Sequence, residues 1–305
     1  MKHFINISDI KKQDLEFIIK DSRKEKESLK TNGIKNIKKI LKNKTIAMIF
    51  DKPSTRTRVS FQVAIKQLGG STIVMNSSDI HLSRGETISD TARTLSRYVD
   101  AIIIRCYQHS IIREFSSFAN IPVINALTDL SHPCQVLADV MTIEERFGSY
   151  KDKKVLWIGD FNNVAKSWTE VSSILKIPLT ICTPDQYSPD TIFRNKIDKC
   201  DSIFFESDPK TALKNQDVVI TDTWLSMGDE VGDRDQIFQP FQVNKLAMSF
   251  ASEEAIFMHC LPAYRGKEVT SDVIDGSQSL VFDEAENRLH VQRSILRWCL
   301  NNDQK

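Results

Sequence analysis

"TIAMIFDKPSTRTRVSF", residues 45–61, runs a β-branched apolar segment into a cluster of hydroxyls and arginines and then into an amphipathic pattern. The first six residues read as a strand buried on both faces, the kind a parallel sheet covered by helices requires. The last residues read as a helix, whose start needs a single capping side chain. Ser54, Thr55, Arg56, Thr57 and Arg58 stand there in succession. Arginine also has the wrong sign for a first helical turn, where the helix dipole places partial positive charge. A bound phosphate would remove the conflict. Backbone N–H groups and hydroxyls at a helix N-terminus hold an anion, and guanidinium forks add charge-assisted hydrogen bonds. Each such bond contributes roughly 1.5–3 kcal/mol net. Ser54 alone fits a plain helix cap equally well; the neighbouring arginines favour an anion site. No GxxxxGK accompanies it, which disfavours a nucleotide P-loop.

Working outward, the same strand-then-helix unit recurs. Further candidate strands are "STIVM" (71–75), "AIIIR" (101–105) and "IPVINA" (121–126), followed by a helical pattern over 133–147. The charged, glycine-containing "RFGSYKDKK" (146–154) breaks the series. It restarts with "VLWIG" (155–159), "LTICT" (179–183), "SIFFE" (202–206), "DVVIT" (217–221) and "AIFMH" (255–259). Continuous apolar strands alternating with helices imply two doubly wound, parallel-sheet α/β domains. The expected division is 1–148 and 149–283, with a C-terminal helix over about 284–305 packing back on the first domain.

The polar clusters fall at the carboxyl ends of these strands, where open α/β sheets bind ligands. "PSTRTR" follows the first strand, Arg105 closes the third, and "DLSHPCQ" follows the fourth. "GDFNN" (159–163), "DTWLSMG" (222–228) and "HCLP" (259–262) follow strands of the second half. Six such coincidences predict an active-site cleft between the domains. Arg105 taken singly also fits a strand-end salt bridge, and His132 a satisfied loop histidine. With Gln135 one turn on, His132 also suits a carbonyl oxygen next to an amide nitrogen. Cys134, His259 and Cys260 are soft metal ligands by type, but they lack the close paired spacing of a zinc site. "WIGDFNN" has one glycine where a dinucleotide turn needs three, so neither NAD nor a metal is expected. "HLSRGET" (81–87) reads either as a solvated connection or as a lid with a glycine hinge.

Composition sets outer bounds. The 305 residues suffice for roughly two domains, and 41% hydrophobic with 27% charged residues describes a globular chain. A net charge of +1 gives no global field for nucleic acid or an anionic membrane. The lysine-rich segment 1–44 is interspersed with acids and reads as a solvated helical face. No apolar run approaches the ~18 residues of a membrane span, and the N-terminus has neither a signal-peptide core nor a transit-peptide composition. Six scattered cysteines without CxxC spacing suggest reduced thiols and a cytoplasmic location.

Together "STRTR", "HPCQ", "DTWLSMG" and "HCLP", in this order from about residue 40 to 300, resemble the carbamoyltransferases, and among them the ornithine-using branch. The resemblance implies transfer of a carbamoyl group from carbamoyl phosphate to the side-chain amine of L-ornithine, in arginine biosynthesis. It implies that Ser54, Thr55, Arg56 and Thr57 hold the phosphate and that Arg105 bridges phosphate and carbonyl oxygen, with Arg58 in support. His132 and Gln135 would contact the carbamoyl group, His132 polarising its carbonyl. Asn163, Asp222, Ser226 and Met227 would position ornithine, Cys260 and Leu261 would sit beside the reacting amine, and Arg288 would reach carbamoyl phosphate from the C-terminal helix. It further implies a homotrimer, with "HLSRGET" near a subunit contact. Phe161 stands where the family's "GDGNN" form has glycine, and "HLSRGE" departs from the commoner "LGRGE". A transferase using putrescine, aspartate or an acylated ornithine is the nearest rival, and a dehydrogenase lacks its glycine fingerprint.

Overall fold

Thr45–Phe50 forms a strand because six apolar or β-branched residues can be covered on both faces, and five of the six are buried. It is β1 of the computed structural model, which describes residues 1–52, 54–77, 85–197, 200–225 and 233–300. The chain folds as two compact units, Met1–Met141 with Glu286–Lys305, and Thr142–Ala285.

Unit 1 runs α1 (Lys12–Asn32), β1, α2 (Thr55–Gln67), β2 (Ser71–Asn76), α3 (Ile88–Leu95), β3 (Ala101–Arg105), α4 (His109–Phe118) and β4 (Val123–Leu127), then enters α5 (Pro133–Phe147). Its sheet has the order β2-β1-β3-β4, and every pairing is parallel. The chain winds outward from β1 to β2, then crosses to β3 on the other side. The topological switch point therefore lies between β1 and β3, and ligands of doubly wound sheets bind outside the strands' carboxyl ends there.

Unit 2 contains β5 (Val155–Ile158), α6 (Asn163–Leu175), β6 (Leu179–Cys182), α7 (Thr191–Ile197), β7 (Ile203–Phe205), α8 (Pro209–Leu213) and β8 (Val218–Thr221). It continues with α9 (Arg234–Phe238), α10 (Lys245–Met248), β9 (Ile256–His259), α11 (Ser271–Ile274) and the start of α12 (Val281–Leu300). The sheet order is β7-β6-β5-β8-β9, again all parallel. Its switch point lies between β5 and β8. Both units are thus doubly wound α/β sheets, and all nine strands read from the sequence are present.

The later part of α12 belongs to unit 1 and is held there by polar contacts. Arg288 on α12 reaches Thr57 at the start of α2, and Trp298 donates to Asp14 of α1 at 2.8 Å. Arg293 pairs with Glu25 at 2.8 Å, and Lys26 donates to Asn287 at 2.7 Å. Among the described residues no helix is long and apolar enough to cross a membrane.

Candidate active-site residues in the two units

In unit 1 the site starts at α2. Ser54 occupies the N-cap position with an extended backbone, but its side chain makes no capping hydrogen bond. That departs from the plain-cap reading of this serine, because the hydroxyl is not spent on the first turn. Thr57, one turn in, is buried. Its Oγ1 accepts from Arg105 Nη1 at 3.2 Å and from Arg288 Nη2 at 2.9 Å. Two guanidinium groups from residues 105 and 288 therefore meet on one hydroxyl at a helix N-terminus. Arg105 closes β3 beside a register shift, where Ala126 of β4 is passed over between the Ile104–Asn125 and Arg105–Leu127 pairings. Arg56 is half-buried, whereas Thr55 and Arg58 are exposed.

His132 precedes α5 and is buried. Burial, then the charges of Arg288, Arg105 and Arg56, hold its imidazole well below the usual histidine range. At neutral pH the ring is uncharged, so it can donate an N–H without adding a fourth positive charge. Gln135 follows on α5, fully buried, and its Nε2 donates to Asp139 Oδ1 at 2.9 Å. The unit therefore brings together Ser54, Thr57, Arg105, Arg288, His132 and Gln135 around the carboxyl ends of β1, β3 and β4. Cys134 is a buried thiol donating to the Asn125 carbonyl at 3.3 Å, and burial raises it to about 12. It packs as a core residue and is not poised as a thiolate ligand.

Unit 2 assembles its residues at the β5–β8 switch point. Gly159 ends β5 with φ +127, and a Cβ there would meet Thr221 Oγ1 at 3.1 Å. Its glycine thus serves a close approach to β8, which accounts for the single glycine in "GDFNN". Asn162 caps α6, accepting from the N–H groups of Val164 and Ala165 at 2.9 and 3.2 Å. Its Nδ2 donates to Asp222 Oδ2 at 2.7 Å. Asn163 is the first residue of α6 and is half-buried. Asp222 Oδ1 accepts from Cys260 Sγ at 3.2 Å and from the Thr223 N–H at 2.8 Å. The carboxylate is therefore fixed on three sides.

Cys260 and Leu261 follow β9. Leu261 has φ +56, a left-handed conformation unusual for a bulky side chain. His259 holds that turn, its Nδ1 accepting the Leu261 N–H at 2.9 Å. The ring proton then lies on Nε2, which faces Glu268 at 3.3 Å. One ligating atom each from Asp222, His259 and Cys260 lies within 4.8 Å of the others, but both His259 nitrogens are already engaged. Ser226, Met227 and residues 81–84 of "HLSRGET" lie outside the described residues. Phe161, the departure from the glycine pattern, is buried edge-on against Phe193 of α7, with ring centroids 5.2 Å apart.

Reading by residue type missed three partners. Asn162 carried no role in the sequence reading, because its tie to Asp222 needs the β5–β8 neighbour relation. Asp139 had a local signal, the i,i+4 spacing from Gln135. Glu268 had none, lying nine residues beyond His259 in an irregular segment.

Residues 2–145 match the family model described as aspartate/ornithine carbamoyltransferase, carbamoyl-P binding domain, and residues 151–299 match its Asp/Orn binding domain. An ornithine carbamoyltransferase of Rhodopseudomonas palustris strain BisA53 is 48% identical over 302 residues, covering 98% of this chain and 97% of that protein. The solved ornithine carbamoyltransferase of Pyrococcus furiosus superposes with TM-score 0.92 at 44% identity, covering 99% of this chain and 98% of that one. A structure described as the anabolic ornithine carbamoyltransferase of Campylobacter jejuni gives TM-score 0.89 at 39% identity, with both chains fully covered. Matched over both of its domains, the chain belongs to the aspartate/ornithine carbamoyltransferase family.

Proposed function

We infer that the protein transfers the carbamoyl group of carbamoyl phosphate to the side-chain amine of L-ornithine, forming L-citrulline and phosphate, in arginine biosynthesis. The observation that carries the donor half is the meeting of Arg105 and Arg288 on the Thr57 hydroxyl at the start of α2. Unit 1 is the carbamoyl-phosphate domain in this reading and unit 2 the ornithine domain. Ser54, Thr55, Arg56 and Thr57 bind the phosphate with Arg105 and Arg288. His132, held neutral by burial and the flanking arginines, donates to the carbonyl oxygen, and Gln135 contacts the carbamoyl amide.

The acceptor amine has a pKa near ~10.4 by analogy with lysine, so about one molecule in a thousand is neutral near pH 7. Desolvation and a fixed acceptor favour that form. In this reading Asp222, oriented by Asn162 and Cys260, accepts the proton the amine gives up, with Asn163, Ser226 and Met227 positioning the amino acid. Cys260 and Leu261 lie beside the amine. The neutral nitrogen attacks the carbamoyl carbon, negative charge develops on the carbonyl oxygen, and Arg105 and His132 stabilise it as an oxyanion hole does. Collapse breaks the C–O bond to phosphate, whose charge the α2 cluster already neutralises.

A homotrimer is the proposed assembly, supported by apolar side chains left open on unit 1. Val59 on α2 is 53% exposed and Ile73 on the edge strand β2 is 48% exposed. All six cysteines are free thiols, which suits the reducing cytoplasm. A citrulline assay with carbamoyl phosphate against ornithine, putrescine, aspartate and N-acetylornithine tests the acceptor. Preference for ornithine supports the reading, and a higher kcat/KM for any other amine overturns it.

A further inference from the structure

A site for carbamoyl phosphate must tell that donor from an acyl phosphate of the same shape. Carbamoyl and acetyl phosphate share the phosphate and the carbonyl and differ only in an amino group against a methyl group. An acceptor at that end favours the carbamoyl donor; a donor or an apolar wall does not. Gln135 can present either end of its amide, since the oxygen accepts and the nitrogen donates. Its Nε2 donates to Asp139 Oδ1 at 2.9 Å, across one turn of α5. Gln135 is 0% and Asp139 1% exposed, so water does not stand in for a lost partner. Carboxylate oxygens accept. A reversed amide would set Oε1 against Oδ1 at the same distance, with both acceptors desolvated. The end of Gln135 turned away from Asp139 is therefore Oε1.

We propose that Asp139 is a positioning residue that fixes the Gln135 amide so that Oε1 accepts an N–H of the carbamoyl group, making this pair the element that selects a carbamoyl over an acetyl donor. The proposal rests on the carbamoyl-phosphate reading of unit 1. A Gln–Asp pair at i,i+4 on a helix surface merely supports the helix. Here the carboxylate is buried at a desolvation cost, and what it gains in this reading is the defined orientation of the amide.

The test compares three ligands, carbamoyl phosphate as substrate and acetyl phosphate and inorganic phosphate as competitors. Asp139→Asn keeps the volume but offers both a donor and an acceptor, so the Gln135 amide is no longer fixed. The KM for carbamoyl phosphate rises about ten-fold, while the inhibition constants of acetyl phosphate and phosphate and the KM for ornithine stay within two-fold. The double variant Gln135→Glu with Asp139→Asn conserves net charge and exchanges the two roles. The amide introduced at 139 donates to the carboxylate introduced at 135, whose other oxygen still accepts. It regains the preference for carbamoyl over acetyl phosphate to within about three-fold of wild type. Equal weakening of all three ligands by Asp139→Asn, or no change in the KM for carbamoyl phosphate, overturns the proposal. Should the single variant not fold, the double variant decides, because loss of the preference there overturns it as well. A wild-type protein that holds carbamoyl phosphate no better than acetyl phosphate overturns the donor reading of the site, and the proposal with it.

Discussion

At the scale of single residues, the proposed donor site turns on one hydroxyl. Thr57 Oγ1 accepts from two guanidinium groups, so Thr57→Val leaves both donors without it while keeping the side-chain shape. Hydrogen bonds to charged groups contribute roughly 1.5–3 kcal/mol, so the KM for carbamoyl phosphate should rise on the order of 10–100-fold. The KM for ornithine should change little, and initial-rate kinetics with both substrates varied reads the split. Equal changes in the two KM values would place Thr57 in the scaffold only. On the acceptor side the Cys260 thiol donates to Asp222. Cys260→Ala should lower kcat and raise the ornithine KM, each about ten-fold, with carbamoyl-phosphate affinity held within two-fold; unaltered turnover would make the thiol structural. Residue type alone marked Ser54 and Thr57 as candidates, because hydroxyls and arginines at one helix start are chemically conspicuous, and Arg105 and His132 as candidates by their places after strands. It did not announce Asn162. In "GDFNN" the two asparagines are chemically identical, and only the backbone at the start of α6 decides that Asn162 both caps the helix and reaches Asp222.

At the scale of elements, what was legible followed periodicity and length. Nine strands, the helix over 133–147 and the C-terminal helix each carry a pattern long enough to read, although the edge strands β2 and β7 are exposed or half-buried at most positions rather than covered on both faces and α12 begins at Val281, three residues before the expected 284. Helices α8 to α11, of four or five residues each, span too few turns to show a 3.6-residue repeat, and packing forms them. The seam of α12 on α1 adds a pH dependence that no local pattern showed. His290 is buried there, and burial first, then the Arg293 charge, push its pKa down to about 4 from 6.5. The unfolded chain therefore binds the proton more tightly. Stability from this group is present above pH 6.5 and lost as pH falls toward the folded-state value, on the order of 1–2 kcal/mol by pH 5. His132 shifts in the same direction. Thermal unfolding at pH 7.5 and pH 5 should show a smaller acid loss for His290→Gln than for wild type. An identical loss in both proteins would remove His290 from the acid response.

At the scale of the whole molecule, a net charge of +1 conceals a division of labour. Unit 1 gathers Arg56, Arg105 and Arg288 around a neutral His132, while unit 2 presents the carboxylate of Asp222 with a thiol and an amide turned toward it. That separation suits an anionic donor and a cationic acceptor, and it predicts how the rate depends on pH. The nucleophile is the neutral amine, whose fraction grows ten-fold per pH unit below ~10.4. Log(kcat/KM) for ornithine should therefore climb with a slope near one from pH 6 to beyond pH 8. It should show no bend near 6.5, because His132 stays uncharged across that range. His132→Gln separates the two roles a histidine could hold. As a neutral donor to the carbonyl oxygen its loss costs on the order of 10²–10³ in kcat and leaves the slope unchanged. As the base taking the amine's proton, its loss would again leave the slope, which is the amine's own, but added imidazole would restore turnover, and such rescue would move the proposed proton acceptor from Asp222 to His132.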